Sequence, residues 1–119
     1  MVVVATRERV NDFLKRFKAR VDEQGSLPLI PRRENLNALA MLGIARSEVK
    51  TVVFGLTDND YESGPEVDHD QTGGELWIFG ADYEGTEIYI KLKLSTESAK
   101  CLSFHQAGRQ MTLPYRGGR

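Results

Sequence analysis

Apolar residues at helical spacing dominate the first part of the chain. Thr6 and Gly25 bracket such a segment, and both residue types favour helix ends. The spacing predicts a helix that begins after Thr6, ends near Gln24 and Gly25, and buries one apolar stripe: Val10, Phe13, Leu14, Phe17 and Val21.

Two shorter helices are predicted next. Arg32 to Leu42 follows a connector containing Pro28 and Pro31, and Gly43 stops it. Ser47 is expected to cap a third helix, in which Val49, Val52, Val53 and Leu56 recur at helical spacing. Residues 52–54 also fit a strand, and we favour the helix.

After residue 75 the apolar pattern changes from helical spacing to alternation. The runs 75–80, 87–94 and 101–105 predict strands, with turns at 81–86 and 95–99. The acidic stretch 57–74 is rich in Asp, Gly, Ser and Pro and is expected to be a loop. The order predicts an α+β fold, in which N-terminal helices precede a three-stranded or slightly larger antiparallel sheet.

The strand 87–94 separates two kinds of side chain. Alternate residues of a strand point to opposite faces, so Tyr89, Lys91 and Lys93 share one face. The other face is apolar and is expected to lie in the core: Ile88, Ile90, Leu92 and Leu94.

The strand 101–105 extends this pattern. If Leu102 and Phe104 join the same core, Ser103 and His105 lie on the face of Tyr89. That face then carries a phenol, two ammonium groups and an imidazole, which are groups that phosphate chemistry uses. Ser103 and His105 would point in parallel, which disfavours a Ser/His hydrolase pair. Cys101 is expected to be an ordinary buried residue.

Length and composition bound the remaining possibilities. The 119 residues, 40% of them hydrophobic, fit a single domain, residues 1–119, with frayed ends at 1–5 and 116–119. The apolar start is too short for a signal peptide, and no long apolar run follows, so we expect a cytoplasmic protein without a membrane partner. The single cysteine excludes an intramolecular disulfide.

The net charge of −1 hides a strong segregation. Residues 1–50 carry ten Lys and Arg against six Asp and Glu, and residues 51–87 carry ten acidic residues and no Lys or Arg. Residues 88–119 carry six basic residues against one acidic residue. This segregation predicts a strongly dipolar surface, although the overall pI does not suggest a polyanion binder and charged loops also keep a small domain soluble.

Metal and nucleotide sites find little support. Calcium-loop frames starting at Asp58 or Asp68 lack required residues, and His69 between Asp68 and Asp70 has no spaced second His or Cys. Gly73-Gly74 lacks the Lys-Ser/Thr of a phosphate loop. We therefore expect no metal and no cofactor.

Three short blocks occur in order along residues 36–105: Gly55-Leu56 with Asp60-Tyr61, then Tyr89-x-Lys91, and finally Ser103-Phe104. Together they resemble the motility quorum-sensing regulator (MqsR) family of bacterial toxins. The resemblance implies a RelE-like α+β fold and messenger RNA cleavage without a metal. It also implies inhibition by a cognate antitoxin, which we expect to be a helix-turn-helix DNA-binding protein.

The resemblance also implies a site. Tyr89 and Lys91 match the family's Tyr-x-Lys pattern. His105 replaces a family lysine, Ile78 a glutamine that follows the tryptophan, and Glu62 a lysine after the Asp-aromatic pair.

RNA cleavage without a metal needs proton carriers and positive charge. We expect Tyr89, Lys91 and His105 to be catalytic. Lys93, Trp77 and Tyr61 are expected to bind RNA, although Trp77 also fits a core position. The predicted function is an mRNA interferase toxin. The alternative is a non-catalytic module that binds a nucleic acid or a protein. A structural adaptor domain would need neither RNA cleavage nor a basic binding face.

Overall fold

Three helices precede a four-stranded sheet in the computed structural model, which describes residues 3–68 and 73–116. The helices are α1 (Arg7–Gln24), α2 (Arg33–Leu42) and α3 (Arg46–Phe54), followed by a 3₁₀ turn at Asp58–Asp60. The strands are β1 (Tyr61–Val67), β2 (Glu75–Tyr83), β3 (Thr86–Leu94) and β4 (Ala99–Gln106). They lie in the order β1-β2-β3-β4, with every neighbouring pair antiparallel, which confirms the predicted α+β fold.

The predicted helices are confirmed, with small changes at their ends. Thr6 Oγ1 accepts a hydrogen bond from the Arg9 amide at 3.2 Å, and all five residues of the α1 stripe are buried. Helix α3 starts before the predicted cap Ser47, because the Glu48 carboxylate accepts from the Ala45 amide at 3.2 Å. Residues 52–54 are helical, so the strand alternative is wrong.

The loop expected over 57–74 is wrong in its central part, where Tyr61–Val67 forms edge strand β1. Its pairing with β2 is irregular, with register shifts around Ser63. Gly64 and Pro65 weaken the local strand signal, and Pro is tolerated in strands mainly at an edge. Pairing with β2, rather than local propensity, therefore holds this strand.

The core lies between α1 and one face of the sheet. The Phe13 ring stacks on Trp77, with 4.7 Å between their centroids, and the apolar residues of β3 are buried there as predicted. In β4 the expected alternation fails at a bulge. Leu92 pairs with Cys101, Lys91 pairs with Ser103, and Leu102 is the extra residue. Cys101 and Phe104 therefore fill the core, whereas Leu102 is only half-buried.

The outer edge of β4 is covered by the connector and by α2. The Ile30 amide donates to the Cys101 carbonyl at 3.0 Å, and the Cys101 amide donates to the Pro28 carbonyl at 2.9 Å. Asn35 continues this pattern, since its side-chain amide donates to the Leu102 carbonyl and its oxygen accepts from the Phe104 amide. Asn35 is 1% exposed, so these bonds satisfy buried polar groups.

Both chain ends have defined contacts where they are described. The Ala5 amide donates to the Tyr61 hydroxyl at 3.0 Å, and the Ala5 carbonyl accepts from the Tyr115 hydroxyl. Arg116 pairs with Asp60 at 2.8 Å. Ala5 and Arg116 therefore have defined contacts, whereas Val3 and Val4 are exposed. The remaining residues of the expected frayed ends, 1–2 and 117–119, fall outside the described residues, and fraying of the ends stays a prediction. Among the described helices, none has the length and apolar character needed to cross a membrane.

Candidate functional site

The sheet face opposite the core brings the predicted catalytic residues together. Tyr89 on β3 pairs with His105 on β4, and Lys91 pairs with Ser103 two positions along. Residues directly opposite in an antiparallel pair project to the same face. The bulge at Leu102 lies beyond Ser103, so it does not disturb the face shared by these four residues.

Tyr89 and His105 form the centre of this face. Their rings are stacked, with centroids 5.3 Å apart and planes 17° from parallel. Both residues are half-buried, so one side of each remains accessible. The contact restricts the orientation of the imidazole and keeps the phenol beside it.

A backbone contact indicates which nitrogen of His105 is available. The Nδ1 atom lies 3.0 Å from the Gln106 carbonyl oxygen. A carbonyl can only accept, so this contact favours the tautomer with the proton on Nδ1. In the neutral ring, Nε2 is then left as a proton acceptor.

The environment of Tyr89 keeps its phenol protonated. Tyr89 packs against an apolar cluster formed by Ile78, Met111 and Leu113. Burial raises the pKa of Tyr89, nearby carboxylates raise it further, and Arg109 partly opposes the shift. The hydroxyl is therefore a hydrogen-bond and proton donor at neutral pH rather than a base.

The three residues predicted to bind RNA are buried rather than exposed to a ligand. Lys93 is 5% exposed, and its ammonium lies 2.8 Å from the Asp68 carboxylate. Trp77 and Tyr61 lie in the core, at 1% and 0% exposure, and the Tyr61 hydroxyl also donates to the Gly64 carbonyl. A base cannot reach either ring in this fold, so Trp77 and Tyr61 take the core role.

A C-terminal segment that the sequence did not connect to the site covers part of this face. Residues 107–113, which we call the strap, follow β4 and place Met111 and Leu113 against Ile78. Glu62 holds the strap by accepting hydrogen bonds from the amides of Thr112 at 2.6 Å and Leu113 at 3.2 Å. The basic composition after residue 88 was the one sequence signal for the strap residue Arg109.

The site is an open patch rather than a cavity. Surface grooves of about 460 and 540 Å³ lie elsewhere, beside α1 and beside the end of α3. Within residues 3–68 and 73–116, no three His, Cys, Asp or Glu side chains are grouped so as to hold a metal ion. His69 and Asp70, weighed above as weak metal ligands, fall outside the described residues.

Comparison with known protein families identifies the family of this chain. The model of the family described as motility quorum-sensing regulator, toxin of MqsA, matches residues 11–106, which span every strand and most of the helical part. No curated protein and no solved structure matches the chain. The matched range contains Tyr89, Lys91 and His105. Because the match covers most of its length, the chain belongs to the motility quorum-sensing regulator family of toxins, which act in toxin–antitoxin systems.

Proposed function

We propose that this toxin is a metal-independent endoribonuclease that inhibits translation by cleaving messenger RNA. The observation that carries the proposal is the stacked pair of Tyr89 and His105, with Lys91 on the same face. An open patch suits a polymer, because a strand of RNA can cross it without entering a cavity.

His105 is the proposed general base. Its Nε2 atom takes the proton from the 2′-hydroxyl, and the 2′-oxygen attacks the adjacent phosphorus. A neutral imidazole accepts a proton through its free ring nitrogen, so it suits this step. The stacking on Tyr89 limits the positions that the ring can adopt, which favours a productive geometry.

Lys91 and Tyr89 are proposed to act on the phosphate. The Lys91 ammonium stabilises negative charge on the non-bridging oxygens as the bond to the 2′-oxygen forms. The bond between phosphorus and the 5′-oxygen then breaks, and the Tyr89 hydroxyl gives its proton to the departing 5′-oxygen. This transfer is favourable because an alkoxide is more basic than a phenolate. The products are a 2′,3′-cyclic phosphate and a free 5′-hydroxyl.

The partner of the toxin is a cognate antitoxin, as the family description implies. We propose that it is a small helix-turn-helix protein encoded beside the toxin. This part of the proposal is tested by looking for such an open reading frame next to the toxin gene and by co-purifying its product with the toxin.

Cleavage of single-stranded RNA by the purified toxin, with and without EDTA, tests the activity directly. We expect cleavage in EDTA at the rate seen without it, with cyclic phosphate ends. The His105→Ala variant is the control for contaminating ribonucleases and is expected to be nearly inactive. Salt-dependent RNA binding without cleavage would instead identify the binding-module alternative. Activity lost in EDTA and restored by a divalent ion would contradict metal independence.

A further inference from the structure

The strap is packed too closely on the sheet to be a loose tail. A Cβ atom at Gly80 would lie 2.7 Å from the Met111 sulfur and 3.1 Å from Leu113 Cδ2, so any other residue at this position would force these two side chains to shift. Met111 and Leu113 are themselves almost fully buried. The strap therefore has a defined position beside Tyr89.

Glu62 fixes this position from the neighbouring strand. Its side chain is 8% exposed, and one carboxylate oxygen accepts from the two successive strap amides of Thr112 and Leu113. The second oxygen lies 3.9 Å from the Arg109 guanidinium. The carboxylate is thus directed inward, towards the backbone of the strap.

Arg109 is directed outward from the same contact. Its side chain is 70% exposed, and it donates to the neighbouring Gln110 carbonyl at 3.2 Å. The charges of Glu66, Arg109 and Glu62 all influence the pKa of the Tyr89 phenol. Two of these three charges are negative, and Arg109 supplies the positive charge among them.

We propose that Arg109 binds a backbone phosphate of the RNA that crosses the site, and that Glu62 is a positioning residue that holds the strap and so presents Arg109. The proposal rests on the proposed function in one respect, namely that the polymer bound at this site is RNA. A guanidinium suits the role, because its planar fork matches two phosphate oxygens at once.

The test measures binding to a 2′-O-methylated single-stranded RNA oligonucleotide, which cannot be cleaved because its 2′-oxygens carry no proton. Affinity is measured over a series of salt concentrations. Arg109→Gln is expected to reduce the salt dependence of log K by about 0.7, the contribution of one phosphate contact to a single strand. The matched control is Arg9→Gln, an exposed arginine of α1 on the opposite side of the sheet, and we expect it to leave the slope unchanged.

Two variants of Glu62 test its positioning role. Glu62→Gln keeps an amide oxygen that accepts from Thr112 and Leu113, so it is expected to retain the wild-type slope. Glu62→Ala releases the strap and is expected to show the reduced slope of Arg109→Gln, with no further reduction in the double variant. A wild-type slope for Glu62→Ala would overturn the positioning role.

The outcomes separate this proposal from the proposed function. Binding without cleavage of unmodified RNA would contradict the nuclease, while the Arg109 slope would still decide the phosphate contact. An unchanged slope for Arg109→Gln in a toxin that cleaves would overturn the Arg109 proposal alone. A wild-type protein that does not bind the oligonucleotide would overturn it as well. Since Arg109 is largely exposed, its variant is expected to fold, and circular dichroism checks this.

Discussion

Tyr89 and His105 face each other across β3 and β4 in a nearly parallel stack, with a centroid separation of 5.3 Å. If this pair performs the proton transfers, His105→Ala is expected to lower the cleavage rate by about 10² to 10⁴-fold. Initial rates on a labelled RNA measure the effect. Lys100→Ala, elsewhere on β4, is the matched control and is expected to cleave as wild type does.

Lys91→Ala is expected to weaken both cleavage and salt-dependent RNA binding, because it removes from this face a positive charge that is proposed to contact the phosphate. Wild-type cleavage by the double variant Lys91→Ala, His105→Ala would contradict the site assignment. The nuclease proposal would then require another cluster, such as Arg32 and Arg33.

Tyr89→Phe separates the hydroxyl from the ring. The ring packing against the strap is kept, so the fold is expected to be unchanged, while cleavage falls by about 10² to 10⁴-fold because the proton donor is lost. Retained cleavage would show that Tyr89 serves only to support His105. Because the raised pKa keeps Tyr89 protonated, ionisation of its phenol is expected only above its ordinary value of 10.0. A spectrophotometric titration of wild type against Tyr89→Phe measures it.

The stability of the fold is expected to fall at acidic pH because of Glu75. The Arg16 guanidinium donates to its carboxylate at 2.8 Å, which lowers the pKa of Glu75, while burial opposes the shift and the Trp77 indole N–H supports it. Since the pKa is lowered on folding, its stabilising contribution is present above the ordinary value of 4.5 and is lost as pH falls through the folded value.

Glu75→Gln is expected to cost about 1 kcal/mol of unfolding free energy at neutral pH, a modest value because the pair is partly exposed. The difference from wild type is expected to shrink on acidification, as measured by urea unfolding. Glu97→Gln, an exposed residue of the β3–β4 turn, is the control. An equal difference at all pH values would contradict the role of this charge.

Cys101 is expected to be chemically silent in the folded protein. Burial raises the pKa of its thiol to about 12. The thiol also donates a hydrogen bond to the Ser103 carbonyl. Only the thiolate reacts readily with disulfide reagents, so labelling is expected to require unfolding. The unfolded thiol ionises at lower pH than the folded one, so stability is expected to decline as pH rises above 9.0. Rapid labelling under native conditions at neutral pH would contradict this prediction.

Asn35→Ala is expected to destabilise the fold by about 1 to 3 kcal/mol, because it leaves the Phe104 amide and the Leu102 carbonyl buried without their partner. Asn37→Ala, at an exposed position of the same helix, is the matched control and is expected to change stability little. Thermal unfolding compares the two variants. Equal midpoints would contradict the role of Asn35 at the sheet edge.

The elements that sequence predicted well are those with strong local patterns. Helix α1 has an apolar stripe and suitable residues at both ends, and β3 alternates without interruption. These patterns are set by the backbone periods of helix and strand, so they can be recognised from local sequence alone. They were also sufficient to place Tyr89 and Lys91 on one face and His105 beside them.

What sequence could not predict depends on contacts between distant residues. Strand β1 contains Gly64 and Pro65 and forms because β2 pairs with it. The buried Lys93 ammonium pairs with Asp68, which comes from a segment expected to be a loop. The contact of Glu62 with Thr112 joins residues 50 positions apart, and no local pattern announces it.

The hydrogen bonds of Asn35 and of the connector make the two edges of the sheet unequal. Along β4, the positions that a further strand would use at Cys101, Leu102 and Phe104 are already occupied by this chain itself. A partner that adds a strand along β4 would first have to displace these contacts, whereas β1 is the opposite edge of the sheet and carries Val67 at 68% exposure. Strand addition is therefore favoured at β1, the edge farther from His105.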